Sequence, residues 1–250
     1  MRISVVVPVR DDARPLERCL AALAAQTRSA DEIVVVDNGS SDDTAQVARA
    51  AGARVVGEPV RGIPRAASTG YDAATGEIIA RIDADTVCPA DWLERIEERF
   101  ASDPSLDFLT GDARFPDSPR WLDWLGRHCY VGVLYAWLTP LLGHAPLFGS
   151  NFAMRAAAWR EVGGDVHRDR RDIHDDLDVA FHVRPWMTVR RDRELIVGIS
   201  DRALTSPVSY VRHAWWVVTT WHQHGWAEAP WRRWARRAAA RGRVSEQAAG

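Results

Sequence analysis

The sequence predicts an α/β protein: a mostly parallel open sheet with helices on both faces, followed by aromatic and basic helices toward the C-terminus. Three observations carry this reading. ISVVVPV at Ile3–Val9 and EIVVVD at Glu32–Asp37 are nearly continuous apolar runs, the pattern of strands buried on both faces. Segments of helical period stand between such runs, joined by short loops, which describes βαβ units. The polar clusters PVRDD, VDNGSSDD and DADT each follow a strand, at the carboxyl edge where open sheets hold ligands.

After the first strand, Leu16, Cys19, Leu20 and Leu23 repeat at helical spacing. SSDDTAQVARAAG then opens with capping residues, Ser41 among them, and closes at Gly52. ARVVGE is a short third strand, Pro64 to Ala74 a small-residue helix, and GEIIARID a fourth strand. PADWLERIEERF is a helix with Trp92, Leu93, Ile96 and Phe100 on one side. The second half differs: eleven of the 12 tryptophans follow residue 120. Its longest apolar run, Tyr130–Gly143, is interrupted by Pro140 and falls short of the roughly 18 residues of a spanning helix. PLFGSNFAMR reads as a strand entering a helix, and VHRDRRDIHDDLDVAFHV as a charged loop before another. APWRRWARRAAARGRV is a basic helix with interleaved Trp, and SEQAAG a frayed end.

The 250 residues, 46% of them apolar, suffice for one large domain or a domain with an appendage. A net charge of -2 excludes nucleic-acid binding by bulk electrostatics. All 32 basic residues are Arg; with the abundant Ala this suggests a GC-rich bacterial genome. The three cysteines match no zinc spacing. Met1-Arg2 leads directly into a strand, with no signal-peptide pattern, so the reading is a reducing, cytoplasmic compartment.

Three clusters can do chemistry. EIIARIDADTVCPADWL ends a buried strand in Asp83 and Asp85. Residues two apart on extended backbone point to one side, so both carboxylates can face a ligand while Ala84 turns away. Clustered anions are costly without a positive partner, and a hard divalent cation with oxygen ligands, Mg²⁺ or Mn²⁺, supplies one. A solvated turn with helix-capping aspartates fits the same residues. VDNGSSDDT places Asp37 at a strand end and Asn38-Gly39 in a tight turn; it is either a βα loop or a contact to a nucleotide base. HDDLD, His174 to Asp178, opens a helix with anions, which the helix dipole favours; one of them can also be a general base.

In four ordered blocks the chain resembles a family 2 glycosyltransferase of the GT-A fold, over about Ile3 to Val183. SVVVPVRDDARPLERCLAALAAQT resembles the family's opening strand and helix, and EIVVVDNGSSDDT its base-binding loop. GEIIARIDADTVCPADWL resembles the metal-binding D-x-D block; GSNFAMRAAAWREVGG and HDDLDVAFHV resemble the acceptor-side blocks. The resemblance implies inverting transfer of a sugar from a UDP- or GDP-linked donor, with Mn²⁺ or Mg²⁺ as cofactor. It implies that Pro8, Val9 and Arg10 line the base pocket beside Asp37 and Asn38. Asp83, Ala84 and Asp85 would meet the ribose and diphosphate, with Asp83 and Asp85 at the metal and Arg65 near the diphosphate. Gly149, Ser150 and Asn151 would sit near donor sugar and acceptor, Asp176 would be the catalytic base, and Asp175 would replace the family's Glu. It further implies a catalytic domain over 1–205, with a nucleotide-binding half (1–112) and an acceptor half (113–205), and a helical extension over 206–250.

There are departures. Asn38 stands where many members have a second Asp, which leaves uracil against guanine open, and Ser68 where Asn is frequent. The QxxRW block of processive synthases is absent, so a single transfer is expected. His222, His224 or His144 are candidates for a further metal ligand.

Residues 130–143 and 229–244 combine aromatics with Arg at lengths that lie on a membrane rather than cross it. Trp231 and Trp234, with Arg232, Arg233, Arg236, Arg237, Arg241 and Arg243, would meet anionic lipid at the inner face of the cell membrane and suit a lipid-linked acceptor. A core-packed helix pair or a homodimer interface fits the same residues. Among other functions, a sugar nucleotidyltransferase would prefer a Gly-rich loop after the first strand, and PVRDDARPLERCL has no Gly. A dehydrogenase would show G-x-G-x-x-G there. Against a catalytically silent nucleotide-sugar- or membrane-binding partner protein, both D-x-D carboxylates and the candidate base Asp176 are present.

Overall fold

The computed structural model describes residues 1–202 and 207–248. One seven-stranded sheet has the order β3-β2-β1-β4-β6-β5-β7. Its strands are β1 (Ile3–Val9), β2 (Glu32–Asp37), β3 (Arg54–Gly57), β4 (Ile78–Arg81), β5 (Leu106–Arg114), β6 (Phe152–Arg155) and β7 (Thr188–Gly198). Only β6 runs against its neighbours, β4 and β5, so the expected mostly parallel sheet is present. Helices α1 (Ala13–Ala24), α2 (Thr44–Ala50), α3 (Ile63–Ala73) and α4 (Trp92–Ser102) alternate with the first strands. They are followed by α5 (Arg120–Leu125), a π-helical stretch (Gly126–Gly132), α6 (Val133–Leu142), α7 (Ala156–Val162) and α8 (Asp175–His182). Last come α9 (Pro207–His224) and α10 (Pro230–Ala248).

The alternation of β1 divides the core. Val5 and Val7 face Leu16, Cys19 and Leu20 of α1 and Trp92, Ile96 and Phe100 of α4. Val6, with Val34 and Val36 of β2, faces Ala66, Ala67 and Tyr71 of α3, Trp159 of α7 and Phe181 of α8. Burial of each large apolar side chain contributes about 1.5–3 kcal/mol, so both faces of the central strands are fixed by packing.

Local details differ from the sequence reading. Ser41 does not cap α2; its N–H and hydroxyl donate to Asp11, and Asp42 Oδ1 accepts the Thr44 N–H instead. Pro140 is accommodated inside α6, whose end follows at Gly143 in the left-handed region. β4 stops at Arg81, so Ala84 and Asp85 lie in a turn rather than on extended backbone.

The arginines of the tail divide by face. Arg233 and Arg237 are buried. Arg233 donates to the Leu142 and Phe181 carbonyls at the ends of α6 and α8 (2.8 Å each), and Arg237 to Met187 O (2.8 Å). Carbonyls at helix ends lack intrahelical donors, and a guanidinium satisfies several at once. These two side chains therefore fasten α10 to the sheet domain and are turned away from solvent. Trp231 and Trp234 are exposed, although the Trp234 indole donates to Pro140 O (2.7 Å). No helix among the described residues is long and apolar enough to cross a membrane.

Candidate active site

The carboxyl ends of β1 and β4 and the amino end of α8 open onto a cleft of about 570 Å³. Pro8, Val9 and Arg10 line it from β1, Asn38 from beyond β2, and Asp83, Ala84 and Asp85 from the turn after β4. Gly149 and Ser150, ahead of β6, and Asp175 and Asp176, the first residues of α8, form the facing wall. These residues come together because parallel strands deliver their following loops to one edge.

Beneath the cleft lies Arg81, the last residue of β4, with its side chain only 3% exposed. Its Nη2 is 3.0 Å from Asp83 Oδ1 and 3.1 Å from Asp175 Oδ2, joining the β4 turn to the head of α8. A buried guanidinium needs such partners, and here they are two of the expected site carboxylates. Ser150 Oγ donates to the other oxygen of Asp83 (2.6 Å). Burial pushes the Asp175 carboxyl up to about 6, with Arg81 pulling it down and Asp176 and Asp83 adding to the rise.

Asp176 Oδ2 accepts the Gly149 N–H (2.7 Å), and Oδ1 accepts the N–H of Leu177 (2.7 Å). Only glycine fits at 149, because a Cβ there would overlap the Arg81 guanidinium and lie 2.9 Å from Asp176 Oδ2. Asp85 lies against the exposed Arg202, whose Nη2 is 2.9 Å from Asp85 Oδ2 and 2.9 Å from Asp12 Oδ2. Burial raises the Asp85 carboxyl, the charge of Asp83 raises it further, and Arg202 opposes both.

Three expected residues are placed elsewhere. Asn151 is fully buried: its amide N–H groups donate to Asp112 O and Leu195 O, and its oxygen accepts the Trp92 indole N–H. With both donors in use it braces the sheet rather than meeting a ligand. The Asp37 carboxylate accepts the Ser40 N–H and shapes the turn after β2. Arg65 pairs with Asp169 (2.9 Å), away from the cleft lining. Asn38 reaches the lining, yet its amide donates to Glu58 O and Val60 O and accepts from Gly62 N–H, which holds the 58–62 loop. His144 is buried between the carbonyls of Ala145 and Ala180, and His224 joins a separate cluster; neither is at the carboxylates of the cleft.

Arg81 and Arg202 were missed by sequence reasoning. Arg81 carries a signal, since an ion inside the four-residue buried strand IIAR requires counter-charges. Arg202 carries none, because its partners are 190 and 117 residues away along the chain.

The profile of glycosyl transferase family 2 matches residues 4–162. The chain belongs to this family. The match runs from β1 to α7 and includes Asp83, Asp85 and Gly149, and it stops ahead of Asp175 and Asp176. An uncharacterized glycosyltransferase of Mycobacterium tuberculosis is 31% identical over 212 residues, which is 85% of this chain and 78% of that one. The mannosyltransferase of Pyrobaculum calidifontis, solved with GDP-mannose and Mn²⁺, superposes with a TM-score of 0.70 at 22% identity, over 100% of this chain and 76% of that one. Glucosyl-3-phosphoglycerate synthase of M. tuberculosis, solved with Mn²⁺, UDP and glucosyl-3-phosphoglycerate, gives 0.66 at 20% identity, over 90% of this chain and 80% of that one. Sheet order and these superpositions give this glycosyltransferase the GT-A fold.

Proposed function

We propose that the protein is a metal-dependent, inverting glycosyltransferase that moves one sugar from a UDP- or GDP-linked donor to a hydroxyl or phosphate acceptor carried on a lipid. The observation that carries this is the convergence of Asp83 and Asp85 with Asp176 on opposite walls of one cleft. Inversion requires attack from the face opposite the leaving group, so base and diphosphate must be held by separate chain segments.

Asp83 and Asp85 would hold Mn²⁺ or Mg²⁺. Oxygen donors suit these hard ions, and the Asp85 carboxyl, raised first by burial and then by the charge of Asp83, gains from a cation that offsets both. When bound, such an ion neutralises charge on the departing nucleotide diphosphate. Asp176, oriented by the Gly149 N–H, takes the acceptor proton as the acceptor oxygen bonds to the anomeric carbon and the bond to the diphosphate breaks. Arg81 keeps Asp83 and Asp175 in register across the cleft. Pro8, Val9 and Arg10 form the base-side wall, and Arg202 is a cation within reach of the diphosphate site.

The lipid-linked acceptor is supported by a second cavity of about 240 Å³ that shares His174, Asp176, Tyr130 and Phe148 with the cleft. Its remaining wall is largely apolar, with Val133, Leu134, Trp137, Leu138 and Val217. Trp121, Trp124 and Trp137 stand exposed along α5 and α6 beside it, as in a surface that lies on a bilayer at the cytoplasmic side.

Calorimetric titration of UDP and of GDP, with and without Mn²⁺, into wild-type and Asp85→Asn protein tests the donor site. The expected result is metal-dependent binding of one nucleotide, weakened roughly 10- to 100-fold by the substitution. Absence of binding by folded wild-type protein would remove the proposal. For the acceptor, turnover on a polyprenyl phosphate and not on a water-soluble phosphate is expected; the reverse preference counts against the lipid reading.

A further inference from the structure

A second cluster lies outside the cleft and joins three segments. His167 comes from the loop before α8, Asp178 and His182 are one turn apart on α8, and His224 ends α9. Asp178 is buried, and its Oδ1 lies 2.8 Å from His167 Nδ1, 2.9 Å from His224 Nε2 and 3.7 Å from His182 Nε2. The four atoms are all within 4.8 Å of one another. His167 N–H donates to the second oxygen of Asp178 (2.7 Å), and Phe181 stacks on the His224 ring, so two of the ligands are held in orientation.

His182 Nε2 is buried and has no hydrogen-bond partner among the described residues. A buried polar nitrogen without a partner is costly and calls for an explanation.

We propose that His167 Nδ1, Asp178 Oδ1, His182 Nε2 and His224 Nε2 bind one divalent cation of the zinc class. Three imidazoles and one carboxylate make a four-coordinate set suited to Zn²⁺ and not to the oxygen-seeking Mg²⁺. Bonds of about 2.0 Å in a tetrahedral shell set donor atoms about 3.3 Å apart. The three distances from Asp178 Oδ1 bracket that spacing, and since every pair lies within 4.8 Å, no donor separation has to close by more than about 1.5 Å. The ion would tie the end of α9 and the preceding loop to α8, whose first residues are Asp175 and Asp176. The site is separate from the D-x-D carboxylates and does not depend on the proposed donor or acceptor.

The test is metal binding by full-length protein stripped with chelator. Zn²⁺ titration and the visible bands of tetrahedral Co²⁺ are read in the wild type, His182→Gln, His224→Gln and Asp85→Asn. His182→Gln removes a ligand atom that makes no hydrogen bond among the described residues, and far-UV circular dichroism checks the fold of each variant. One equivalent of Zn²⁺ is expected in wild type and Asp85→Asn, with affinity reduced on the order of 100-fold in both histidine variants. Unchanged binding in the folded histidine variants, absence of tetrahedral Co²⁺ bands in wild type, or loss of binding in Asp85→Asn would each overturn the assignment.

Discussion

Arg81→Met removes the cation that lies between Asp83 and Asp175 beneath the cleft. Breaking a buried ion group by deleting one member costs about 3–5 kcal/mol, a large part of the roughly 5–15 kcal/mol that holds a domain folded. The two carboxylates share that cost unequally. Asp83 keeps the Ser150 hydroxyl and is 37% exposed, so it stays solvated; Asp175 is only 12% exposed and its carboxyl already stands near 6. Without Arg81 the Asp175 carboxyl rises further. A raised carboxylate in the folded state makes stability fall as pH rises from the unfolded value, near 4, up to the folded value. Wild type therefore levels off above about 6, whereas the variant goes on losing stability to higher pH, with a limiting slope of about 1.4 kcal/mol per pH unit. Urea unfolding at pH 5, 6, 7 and 8 reads both the size and the slope. Adding Asp175→Asn to the variant should restore the flat profile above pH 6. A loss under about 1 kcal/mol at pH 7, or a slope equal to that of wild type, would refute the bridge.

Further outcomes follow from neighbouring contacts. Gly149→Ala places a methyl group against the Arg81 guanidinium and Asp176, so a stability loss of about 1–3 kcal/mol with sharply reduced kcat/KM is expected; unaltered turnover would show that the Gly149–Asp176 contact is dispensable. Arg202→Met frees Asp85 from an exposed competing cation, and calorimetry should give Mn²⁺ affinity about 2–5 times higher without nucleotide, from the roughly 0.2–1 kcal/mol of such a pair. Burial, with Arg237 and Arg233 nearby, pushes His144 down to about 3. Because the unfolded imidazole protonates near 6.5, stability falls as pH drops from there toward 3, by about 2 kcal/mol at pH 5, and His144→Asn should remove that part of the acid dependence in unfolding curves.

The strands were legible because burial on both faces leaves a run of apolar residues that few other structures explain; β1 and β2 sit where ISVVVPV and EIVVVD place them. Features set by distant partners were not. Arg232 and Arg236 repeat with the same spacing of four as Arg233 and Arg237, yet the first pair is exposed and the second is buried on carbonyls of α6, α8 and the chain after it. Composition alone cannot rank two equally spaced rows on one helix. Asn151 followed Gly149 and Ser150 in a block expected at the ligand, but its amide closes on Asp112, Leu195 and Trp92, pairings made only when β5, β7 and α4 assemble.

The carboxylates of the site were legible for the same reason as the strands they follow, whereas the cations that balance them were not, and that balance separates the two D-x-D aspartates. Asp83 is held by buried Arg81 and by Ser150, so its charge is already compensated from within the core. Among the described residues Asp85 pairs only with the exposed Arg202, and its carboxyl is raised by burial and by Asp83. An incoming divalent ion therefore gains most at Asp85. Asp85→Asn should weaken Mn²⁺-dependent nucleotide binding by the roughly 10- to 100-fold given above with little loss of stability, while Asp83→Asn should weaken the fold by removing one of the carboxylates that pair with Arg81 and retain more of the metal response. Paired calorimetry and urea unfolding distinguish the two, and equal effects of both substitutions on both measurements would mean that the aspartates share the ion symmetrically and that Arg81 does not set them apart.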